Sequence, residues 1–370
     1  MTIAINCRNI LPGRLEGFGR YSLELVQRIC ALHPEARFVL FFDRHIDGLP
    51  DFGSNTEQVV LHPPTRHTLL YTIWFDWVLP RALRKHNVDC FWSPDGFLSL
   101  RTSVPQIATI HDINFEHYPD DLPSNVSKYY RAHFPRFAGI AQHIFTVSQF
   151  SKDDLIATYG IAQNKITVAY NGVSSGYRPL EMDAVESVRR TYTKGRPYFL
   201  FVGSVHPRKN VQRLVDAFSK FAMANNEIDL VIVGSPRWKG QTVDVPESVA
   251  GRVHRTGYLD QDELQRLMAS AMALTYVPYF EGFGIPLVEA MACNIPILCS
   301  STSCLPEIAG DAAILCDPFS VDDIARGMHS LTDAHLRVAL VEHGRKQRER
   351  YSWDATAETI GRYLTTFTYR

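Results

Sequence analysis

The sequence lacks the features that mark several specialised classes of protein. Seven cysteines are scattered along 370 residues without a Cys-x-x-Cys pair. An odd, scattered set of this kind predicts reduced thiols in a cytosol-like compartment rather than a disulfide framework. No apolar run reaches the roughly 18 residues of a transmembrane helix. The segment from Met1 to Gly13 lacks the basic start and apolar core of a signal peptide, so secretion is not expected.

An excess of charge of one sign is also missing. Lysine and arginine number 38 and aspartate and glutamate 39, for a formal net charge of −1. This balance argues against a dedicated nucleic-acid binder. Hydrophobic residues make up 45% and charged residues 21% of the chain, which is typical of soluble globular domains. The length predicts roughly two such domains.

A glycine-rich loop between a predicted strand and a predicted helix stands out at residues 279–292. The apolar run 271–277 predicts the buried strand. Gly282 and Gly284 allow a tight turn and a close approach of the backbone to a ligand. Pro286 suits the first position of a helix, where its missing N–H costs nothing. Free N–H groups and the positive end of the helix dipole then favour an anion in front of this loop.

Two carboxylates flank the same loop. Glu281 lies on it, and Glu289 follows in the first turns of the helix. Because the surrounding N–H groups favour an anion, these acids need another task, and the vicinal hydroxyls of ribose or hexose suit them. The pattern therefore indicates a diphosphate joined to sugars. The alternative is that Glu289 only complements the helix dipole while Glu281 is a solvated loop acid.

A second loop of this type follows the predicted strand 198–202. It runs from Gly203 to Asn210, carries the adjacent cations Arg208 and Lys209, and leads into a helix. Arginine can fork onto two phosphate oxygens and lysine adds a point charge. Since cations at a helix N-terminus oppose the helix dipole, an anion is expected there. The alternative is a basic pair in a surface turn.

The N-terminal segment begins in the same way. A strand over Thr2–Asn6, a loop containing Gly17 and Gly19, and a helix from about residue 21 to 32 predict a Rossmann-like unit. The glycine spacing is not G-x-G-x-x-G and no ribose-binding acid follows at the dinucleotide distance, which argues against a nicotinamide cofactor. Without a ligand, the glycines would simply form a tight turn.

His111 and Asp112 directly follow the predicted strand 106–110. Ligands of open α/β sheets lie just beyond the carboxyl ends of strands, and a neutral histidine can donate or accept a hydrogen bond there. A structural His–Asp pair capping the next segment is the alternative. Asp112 is expected to support geometry rather than chemistry.

Two further segments leave alternatives open. Residues 69–86 combine aromatic and basic side chains, which is typical either of a helix at a membrane surface or of a helix packed on the sheet with a solvated basic end. The packed helix is the favoured prediction.

Asp260 and Asp262 form an Asp-x-Asp sequence, the pattern that holds a divalent metal in GT-A glycosyltransferases. Acids in a first helical turn are explained by capping and the dipole, so no metal site is predicted.

The segment Glu281-Gly282-Phe283-Gly284-Ile285-Pro286-Leu287-Val288-Glu289 resembles the signature of the retaining glycosyltransferases of family 4, and Gly203–Asn210 resembles another motif of that family. The resemblance implies the α/β fold class GT-B, with two Rossmann-like domains facing across a cleft. The predicted divisions are an N-terminal domain over 1–173, a linker over 174–197, a C-terminal nucleotide-sugar domain over 198–352, and a final helix over 353–370 that packs back on the first domain.

The resemblance also implies an activity, the metal-independent transfer of a hexose from a nucleoside diphosphate with retention of configuration. The implied catalytic residues are His111 near the donor sugar, Arg208 and Lys209 at the diphosphate, and Glu281 at the hexose hydroxyls. The implied donor-binding residues are Glu289 at the ribose, Tyr258 near the base, and Gly17, Gly19, Gly203, Gly282, Phe283, Gly284 and Ile285.

Asn6, the segment from Gly17 to Tyr21 and the segment from Ile110 to Asp112 resemble bacterial mannosyltransferases of surface polysaccharide assembly. They imply GDP-mannose as donor, with a UDP-hexose as the alternative, and a glycan or lipid-linked saccharide as acceptor. The enzyme would be cytoplasmic, with peripheral membrane contact as a further prediction. A nucleotide-sugar epimerase of GT-B fold and a non-catalytic nucleotide-binding module are the alternatives from other classes.

Overall fold

The computed structural model describes residues 1–11, 17–235 and 242–366. The chain divides into two compact units. The first comprises Met1–Asn171 together with the C-terminal segment from Ser352, and the second comprises Gly172–Tyr351. Each unit is built on one parallel sheet covered by helices.

The first unit has a seven-stranded sheet in the order β3-β2-β1-β4-β5-β6-β7. Its strands are β1 (Thr2–Asn6), β2 (Arg37–Phe42), β3 (Thr56–Val60), β4 (Cys90–Ser93), β5 (Gln106–Thr109), β6 (His143–Thr146) and β7 (Ile166–Val168). The central strands are short, buried apolar runs, as expected for parallel strands covered on both faces.

Helices of the first unit cover this sheet. They are α1 (Gly17–Leu32), α2 (Thr68–Ile73), α3 (Leu79–Lys85), α4 (Asn114–His117), α5 (Ser124–Ile140) and α6 (Gln149–Tyr159). A π-helical turn, Trp74–Val78, joins α2 to α3. The core between these helices and the sheet is rich in aromatic rings, with Trp74, Phe75 and Phe97 at its centre.

The second unit has a six-stranded parallel sheet in the order β10-β9-β8-β11-β12-β13. Its strands are β8 (Tyr198–Val202), β9 (Asp229–Val233), β10 (Val253–Gly257), β11 (Ala273–Tyr276), β12 (Ile297–Ser300) and β13 (Ala313–Cys316). Its helices are α7 (Met182–Thr193), α8 (Val211–Ala224), α9 (Gln261–Ser270), α10 (Ile285–Ala292), α11 (Leu305–Ala309), α12 (Val321–Ser330) and α13 (Ala334–Gln347).

Both sheets contain a point at which the strand order reverses. In the first unit the chain moves outwards from β1 to β3 and returns to β4 beside β1; in the second it moves from β8 to β10 and returns to β11 beside β8. In open α/β sheets, ligands bind outside the carboxyl ends of the strands at such a point. The topology therefore directs attention to the loops after β1 and β4 and after β8 and β11.

The segment predicted as a linker over 174–197 is different in the structure. It contains α7, which buries Val185 and Val188 in the second unit. Arg189 Nε on this helix donates to the carbonyl of Ser270 at 3.0 Å. Helix α7 is charged and buries only a narrow apolar stripe. Such a helix gives no recognisable core pattern in the sequence, so the segment was predicted as a linker.

The last helix, α14 (Trp353–Thr366), packs on the first unit. Arg28 Nε on α1 donates to Asp354 Oδ1 at 2.7 Å, and the rings of Tyr21 and Trp353 meet edge to face at 5.9 Å. The hydroxyl of Thr356 also donates to the carbonyl of Tyr170. The C-terminal residues after Thr366 lie outside the described part of the chain.

The aromatic and basic segment at residues 69–86 contributes part of its side chains to the core. Trp74 and Phe75 are buried, and Trp74 Nε1 donates to the carbonyl of Leu61 at 2.9 Å. Two large apolar side chains remain exposed, Leu69 at 69% and Trp77 at 45%. Arg101 stacks on Trp77, with its guanidinium 4.0 Å from the ring centroid. No helix in the described ranges is long and apolar enough to cross a membrane.

Candidate active site

The two loops singled out in the second half of the sequence lie side by side. Strands β8 and β11 are neighbours at the reversal point. The loop after β8 carries Arg208 and Lys209, and the loop after β11 carries Glu281. A backbone hydrogen bond joins the loops, since Tyr279 N–H donates to the Arg208 carbonyl at 3.1 Å. The fold thus brings together three of the four predicted catalytic residues.

The base of the first loop is closed by the approach of two glycines. A Cβ added at Gly234 would lie 2.0 Å from the carbonyl oxygen of Gly203, so no larger residue fits. Gly234 N–H donates to the Gly257 carbonyl at 2.8 Å, and Val205 N–H donates to that of Ser235 at 3.0 Å. The ends of β8, β9 and β10 therefore pack backbone against backbone, and Gly203 lies at this packed base.

Lys209 is held by an ion pair and by a hydroxyl group. Its ammonium pairs with Glu281 Oε1 and donates to the hydroxyl of Tyr276 at 2.6 Å. The Tyr276 hydroxyl donates in turn to Glu281 Oε1 at 3.1 Å. The ammonium also lies 5.1 Å from the Tyr276 ring centroid, within the range of a cation–π interaction. The three groups form a connected, largely buried cluster.

Arg208 belongs to the same cluster. Its Nη1 lies 3.7 Å from Glu281 Oε2 and donates to the Phe280 carbonyl at 3.4 Å. Arg208 and Lys209 share a single 3₁₀ turn, Pro207–Lys209, and the Arg208 N–H donates to Nδ1 of the buried His206 at 3.3 Å. One short turn therefore presents two cations to one carboxylate.

The electrostatics of the cluster follow from this arrangement. Burial alone would raise the pKa of Glu281, but the charges of Arg208 and Lys209 and the hydrogen bonds from Lys209 and Tyr276 hold this pKa below its usual value. Burial and the adjacent carboxylate raise the pKa of the Tyr276 hydroxyl well above its ordinary value, so it stays a donor. Two cations and one carboxylate leave a net positive charge, which favours an anionic ligand.

The solvated-acid alternative for Glu281 is wrong, since this side chain is 8% exposed and pairs with Arg208 and Lys209. The surface-turn alternative for the basic pair is also wrong. The side chains of Arg208 and Lys209 are only 19% and 13% exposed.

Asn210 joins the turn that carries Arg208 and Lys209 to the neighbouring loops at the carboxyl end of the sheet. It adopts the left-handed conformation with φ of 60°, which asparagine tolerates better than most residues. Its Nδ2 donates to the carbonyls of Val277 at 2.9 Å and Pro318 at 2.6 Å, and its Oδ1 accepts from Arg213 at 2.8 Å. This buried amide joins the loops after β8, β11 and β13.

The helix after the second loop begins where the sequence predicts. Gly284 has φ of 88°, and a Cβ there would lie 2.7 Å from Leu305 Cδ2. Ile285 and Pro286 then open α10. Phe283 is buried and packs edge-on against Tyr351, with ring centroids 5.5 Å apart. The glycine is therefore required by both backbone conformation and packing.

Two further predicted donor-binding residues, a glycine and an acid, lie within this motif. Gly282 is buried directly after Glu281, and Glu289 is 3% exposed in α10. A buried carboxylate needs polar partners to offset its lost hydration. Tyr258, in contrast, lies outside this motif. It follows the end of β10 and is 56% exposed, and β9 separates β10 from β8.

His111 lies at the carboxyl end of the first sheet, just after β5. Its Nε2 is 2.8 Å from the carbonyl oxygen of Pro94. The rings of Tyr21 and Phe18 contact its imidazole edge to face, with centroids at 4.5 and 4.8 Å. Burial lowers the pKa of His111, against the raising effect of the Pro94 carbonyl and of Asp112 and Asp95, so the ring is neutral near pH 7.

Gly17 and Gly19 lie in the first turn of α1, not in the loop that the sequence predicts. The helix begins four residues earlier than the predicted Tyr21 because Phe18 and Tyr21 both face His111 and stabilise this first turn. The preceding residues of that loop, 12–16, lie outside the described part of the chain. The two glycines flank Phe18 in the chain, and the Phe18 ring contacts His111.

The capping role predicted for the Asp-x-Asp segment is confirmed. Asp260 Oδ1 accepts the N–H of Glu263 at 2.8 Å at the start of α9. Within residues 1–11, 17–235 and 242–366, no group of three or more His, Cys, Asp and Glu side chains is arranged to hold a metal ion.

Tyr276 was not among the predicted site residues, and the sequence carries only a partial signal for it. Tyr276 ends an apolar strand, so its type suggested core packing. The available signal was a hydroxyl at the carboxyl end of the strand that leads into the glycine-rich loop. Asp95 was also not predicted, and its available signal was an acid two residues after the apolar strand β4.

The chain belongs to the glycosyltransferases of family 4. The family described as Glycosyltransferase Family 4 matches residues 15–176, and that described as Glycosyl transferases group 1 matches residues 186–347. The predictions of a glycosyltransferase, and of this family, are confirmed.

Among characterised relatives, the chain is similar to the O-antigen chain mannosyltransferase B of Escherichia coli, with 29% identity over 94% of this chain and 96% of that protein. It is also similar to the O-antigen chain mannosyltransferase RfbU of Salmonella typhimurium, with 26% identity over 85% of this chain and 84% of that protein.

Solved structures confirm the predicted GT-B fold class. WaaG, a glycosyltransferase involved in lipopolysaccharide biosynthesis, matches with a TM-score of 0.78 and 18% identity over 99% of this chain and 100% of its own. Sucrose-phosphate synthase from Thermosynechococcus elongatus matches with a TM-score of 0.78 and 17% identity over 99% and 98% of the two chains. At these identities the likeness concerns the fold alone.

Proposed function

We propose that this glycosyltransferase moves mannose from a nucleoside diphosphate, with GDP-mannose as first choice, to a saccharide acceptor during cell-surface polysaccharide synthesis. The observation that carries the proposal is the cluster of Arg208, Lys209 and Glu281 at the reversal point of the second sheet. The named activity of the O-antigen mannosyltransferases that match along most of the chain supports mannose as the sugar.

The chemistry follows from charge. As the bond between the sugar and the phosphate stretches, the departing nucleoside diphosphate gains negative charge. Arg208 and Lys209 would meet that charge, and the N-terminus of α10 behind Gly284 adds its dipole. These groups supply the electrostatic stabilisation that a divalent ion supplies in other transferases. We therefore propose a metal-independent reaction, tested by full activity in EDTA.

Glu281 has two states in this scheme. Without a donor it pairs with both Lys209 and Arg208. A diphosphate competes for the same cations, and the carboxylate is then available to accept hydrogen bonds from hexose hydroxyls and to stabilise the cation-like ring. Tyr276 keeps its hydrogen bond to Glu281 throughout and so holds the carboxylate in place.

The remaining assignments follow the same motif. Glu289 would bind the ribose hydroxyls, and Gly282, Phe283, Gly284 and Ile285 would bring the backbone close to the donor. Gly203 would leave room for the diphosphate, and Tyr258 would lie near the base. In the first unit, His111 would contact the sugar, with Gly17 and Gly19 on the helical turn beside it. We expect retention of configuration, with the leaving phosphate taking the proton of the acceptor.

One screen tests the proposal. Each of GDP-mannose, UDP-glucose, UDP-galactose and ADP-glucose is incubated with the enzyme, and release of the nucleoside diphosphate is measured with and without oligosaccharide acceptors. Fastest turnover of GDP-mannose is expected. Conversion of a UDP-sugar to its epimer without an acceptor would instead identify an epimerase. Nucleotide binding without turnover of any donor would identify a binding module.

Peripheral membrane contact remains part of the proposal. The side chains of Leu69 and Trp77 are exposed, and the exposed cations Arg81, Arg84 and Lys85 follow on the next helix. Apolar side chains beside cations suit a surface of anionic lipid. Such contact would bring the enzyme to a lipid-linked acceptor.

A further inference from the structure

A second buried polar cluster lies in the first unit at the reversal point between β1 and β4. Its centre is the carboxylate of Asp95, which is 4% exposed. Among the described residues, the side chains that donate to it are Asn6 Nδ2 at 2.9 Å, Arg8 Nε at 2.8 Å, Asn9 Nδ2 at 2.7 Å and Ser93 Oγ at 2.9 Å. The ends of the two strands are therefore joined through one carboxylate.

Arg8 anchors this cluster firmly. Its guanidinium lies 4.5 Å from the ring centroid of Phe97, 4.9 Å from that of Tyr71 and 5.4 Å from that of Phe75. Its Nη1 donates to the hydroxyl of Thr65 at 3.0 Å. A buried charge enclosed by aromatic rings and paired with a carboxylate has little freedom to move.

Asp95 also shapes the turn in which it lies. Ser93, Pro94, Asp95 and Gly96 form a tight turn, closed by the Gly96 N–H to the Ser93 carbonyl at 3.3 Å, and Phe97 N–H donates to Asp95 Oδ1 at 3.3 Å. Gly96 has φ of 83°, and a Cβ there would lie 3.1 Å from a ring atom of Phe134. The turn is thus fixed on the side of its own carboxylate and on the side of the core.

The carbonyl of Pro94, in the middle of this turn, contacts His111 Nε2 at 2.8 Å. A carbonyl oxygen can only accept, so the neutral imidazole carries its proton on Nε2 and its lone pair on Nδ1. A ring held in this way offers an acceptor, and it suits a hydroxyl group that donates its proton.

We propose that Asp95 is a positioning residue for transfer: it fixes the Pro94 carbonyl, which holds His111 in one orientation and in the Nε2–H tautomer, so that Nδ1 accepts a hydrogen bond from a substrate hydroxyl. This proposal rests on the proposed function, in which His111 contacts the sugar. It adds a residue that acts through His111 and assigns the atom of His111 that binds.

Asp95→Asn tests this assignment, with Asp229→Asn as the control. Asp229 is a buried carboxylate of the second unit, which pairs with Arg196 and His254. Nitrogen NMR of histidine-labelled enzyme, with the His111 signals assigned by their loss in His111→Gln, reports the tautomer directly. The wild-type enzyme is expected to show a neutral His111 with the proton on Nε2 and slow exchange of that proton.

Asp95→Asn is expected to give exchange-averaged His111 signals and a kcat lowered by about 10- to 100-fold, the range expected for a small misplacement. Its affinity for the nucleoside diphosphate should stay within twofold of wild type. Ser93→Ala, which removes one hydrogen bond to Asp95, should give a smaller change of the same kind and serves if Asp95→Asn does not fold. Asp229→Asn should lower the melting temperature without changing the His111 signals.

The assignment is overturned if wild-type His111 is protonated on Nδ1, or if folded Asp95→Asn and Ser93→Ala both retain the wild-type His111 signals. These spectra need no turnover. Failure of every nucleotide sugar to bind would reject the proposed function, while the spectra would still decide the position of the proton.

Discussion

Lys209 and Glu281 form a buried ion pair whose carboxylate also accepts a hydrogen bond from Tyr276. The cation that we assign to the diphosphate is thus already held in place, at the carboxyl ends of β8 and β11, when no donor is bound. Donor binding then exchanges one anion for another rather than ordering a flexible side chain, so little conformational entropy is lost.

Lys209→Ala is expected to lower kcat by about 10²–10³, because a preorganised donor to the developing charge is removed. Turnover of GDP-mannose with a saturating acceptor measures the effect. Lys220→Ala, which breaks an exposed pair with Asp322, is the control and should retain wild-type kcat. A loss smaller than threefold would refute the assignment of Lys209.

Tyr276→Phe should lower kcat by about tenfold, since a hydrogen bond between a neutral donor and a charged acceptor contributes about 1.5–3 kcal/mol. Tyr198→Phe is the matched control, because its hydroxyl is equally buried and donates to the Leu267 carbonyl at 2.6 Å. It should change the melting temperature alone. Equal effects of the two substitutions on kcat would remove Tyr276 from the site.

Glu281→Gln should separate binding from turnover. The diphosphate would no longer compete with a carboxylate for Arg208 and Lys209, so GDP should bind more tightly, by about tenfold, while kcat falls because the hexose loses its partner. Calorimetry with GDP and steady-state kinetics measure the two effects. Weaker GDP binding would show that Glu281 does not compete with the ligand.

The stability of Glu281→Gln relative to wild type should depend on pH. The pKa of Glu281 is lowered in the folded protein, so its ionisation stabilises the fold above the unfolded-state pKa of about 4.3, and this stabilisation is lost as the pH falls through the lower, folded-state pKa. The difference in unfolding free energy between wild type and Glu281→Gln should therefore be largest near pH 7 and shrink below about pH 4. Urea unfolding across this range measures it. A constant difference would contradict the lowered pKa.

Gly234→Ala should destabilise the second unit by about 3 kcal/mol or more, because the added methyl group meets the Gly203 carbonyl and the backbone conformation disfavours a side chain. Gly251→Ala is the control, since nothing lies within 4 Å of a Cβ there. Thermal unfolding of both variants measures the effect. Similar melting temperatures would show that the strand ends can separate without loss.

The double substitution Leu69→Ala and Trp77→Ala should reduce binding to anionic liposomes at low salt by at least about tenfold, because it removes the two exposed apolar side chains of that segment. Met223→Ala removes an 88% exposed side chain of the second unit and is the control. Flotation measures both. Failure of the wild-type enzyme to float would remove membrane contact from the proposal.

The sequence predicts the second unit better than the first, for a physical reason. Around Gly284 and Arg208, local chain geometry and chemistry coincide, because strand, loop and helix start follow one another within a few residues. The Asp95 cluster instead joins residues almost 90 positions apart, since Asn6 Nδ2 and Asp95 Oδ1 meet only through the pairing of β1 with β4. Contacts of this kind depend on the order of strands, which periodicity does not give.

Two local errors have the same origin. The start of α1 at Gly17 depends on the contact of Phe18 with His111, which is distant in the sequence. Helix α7 has few apolar residues, and it becomes recognisable only when Val185 and Val188 meet the second unit. In both cases, packing partners from elsewhere in the chain decide the local structure.

The placement of α14 on the first unit also sets an order of events during synthesis. Residues 172–351 form one contiguous unit, whereas the first unit is completed by residues after Ser352. The ribosome therefore delivers the whole second unit before it delivers Trp353, whose ring meets Tyr21. Until then, the surface of α1 that receives α14 stays uncovered, and the nascent enzyme carries an unfinished N-terminal half throughout most of its translation.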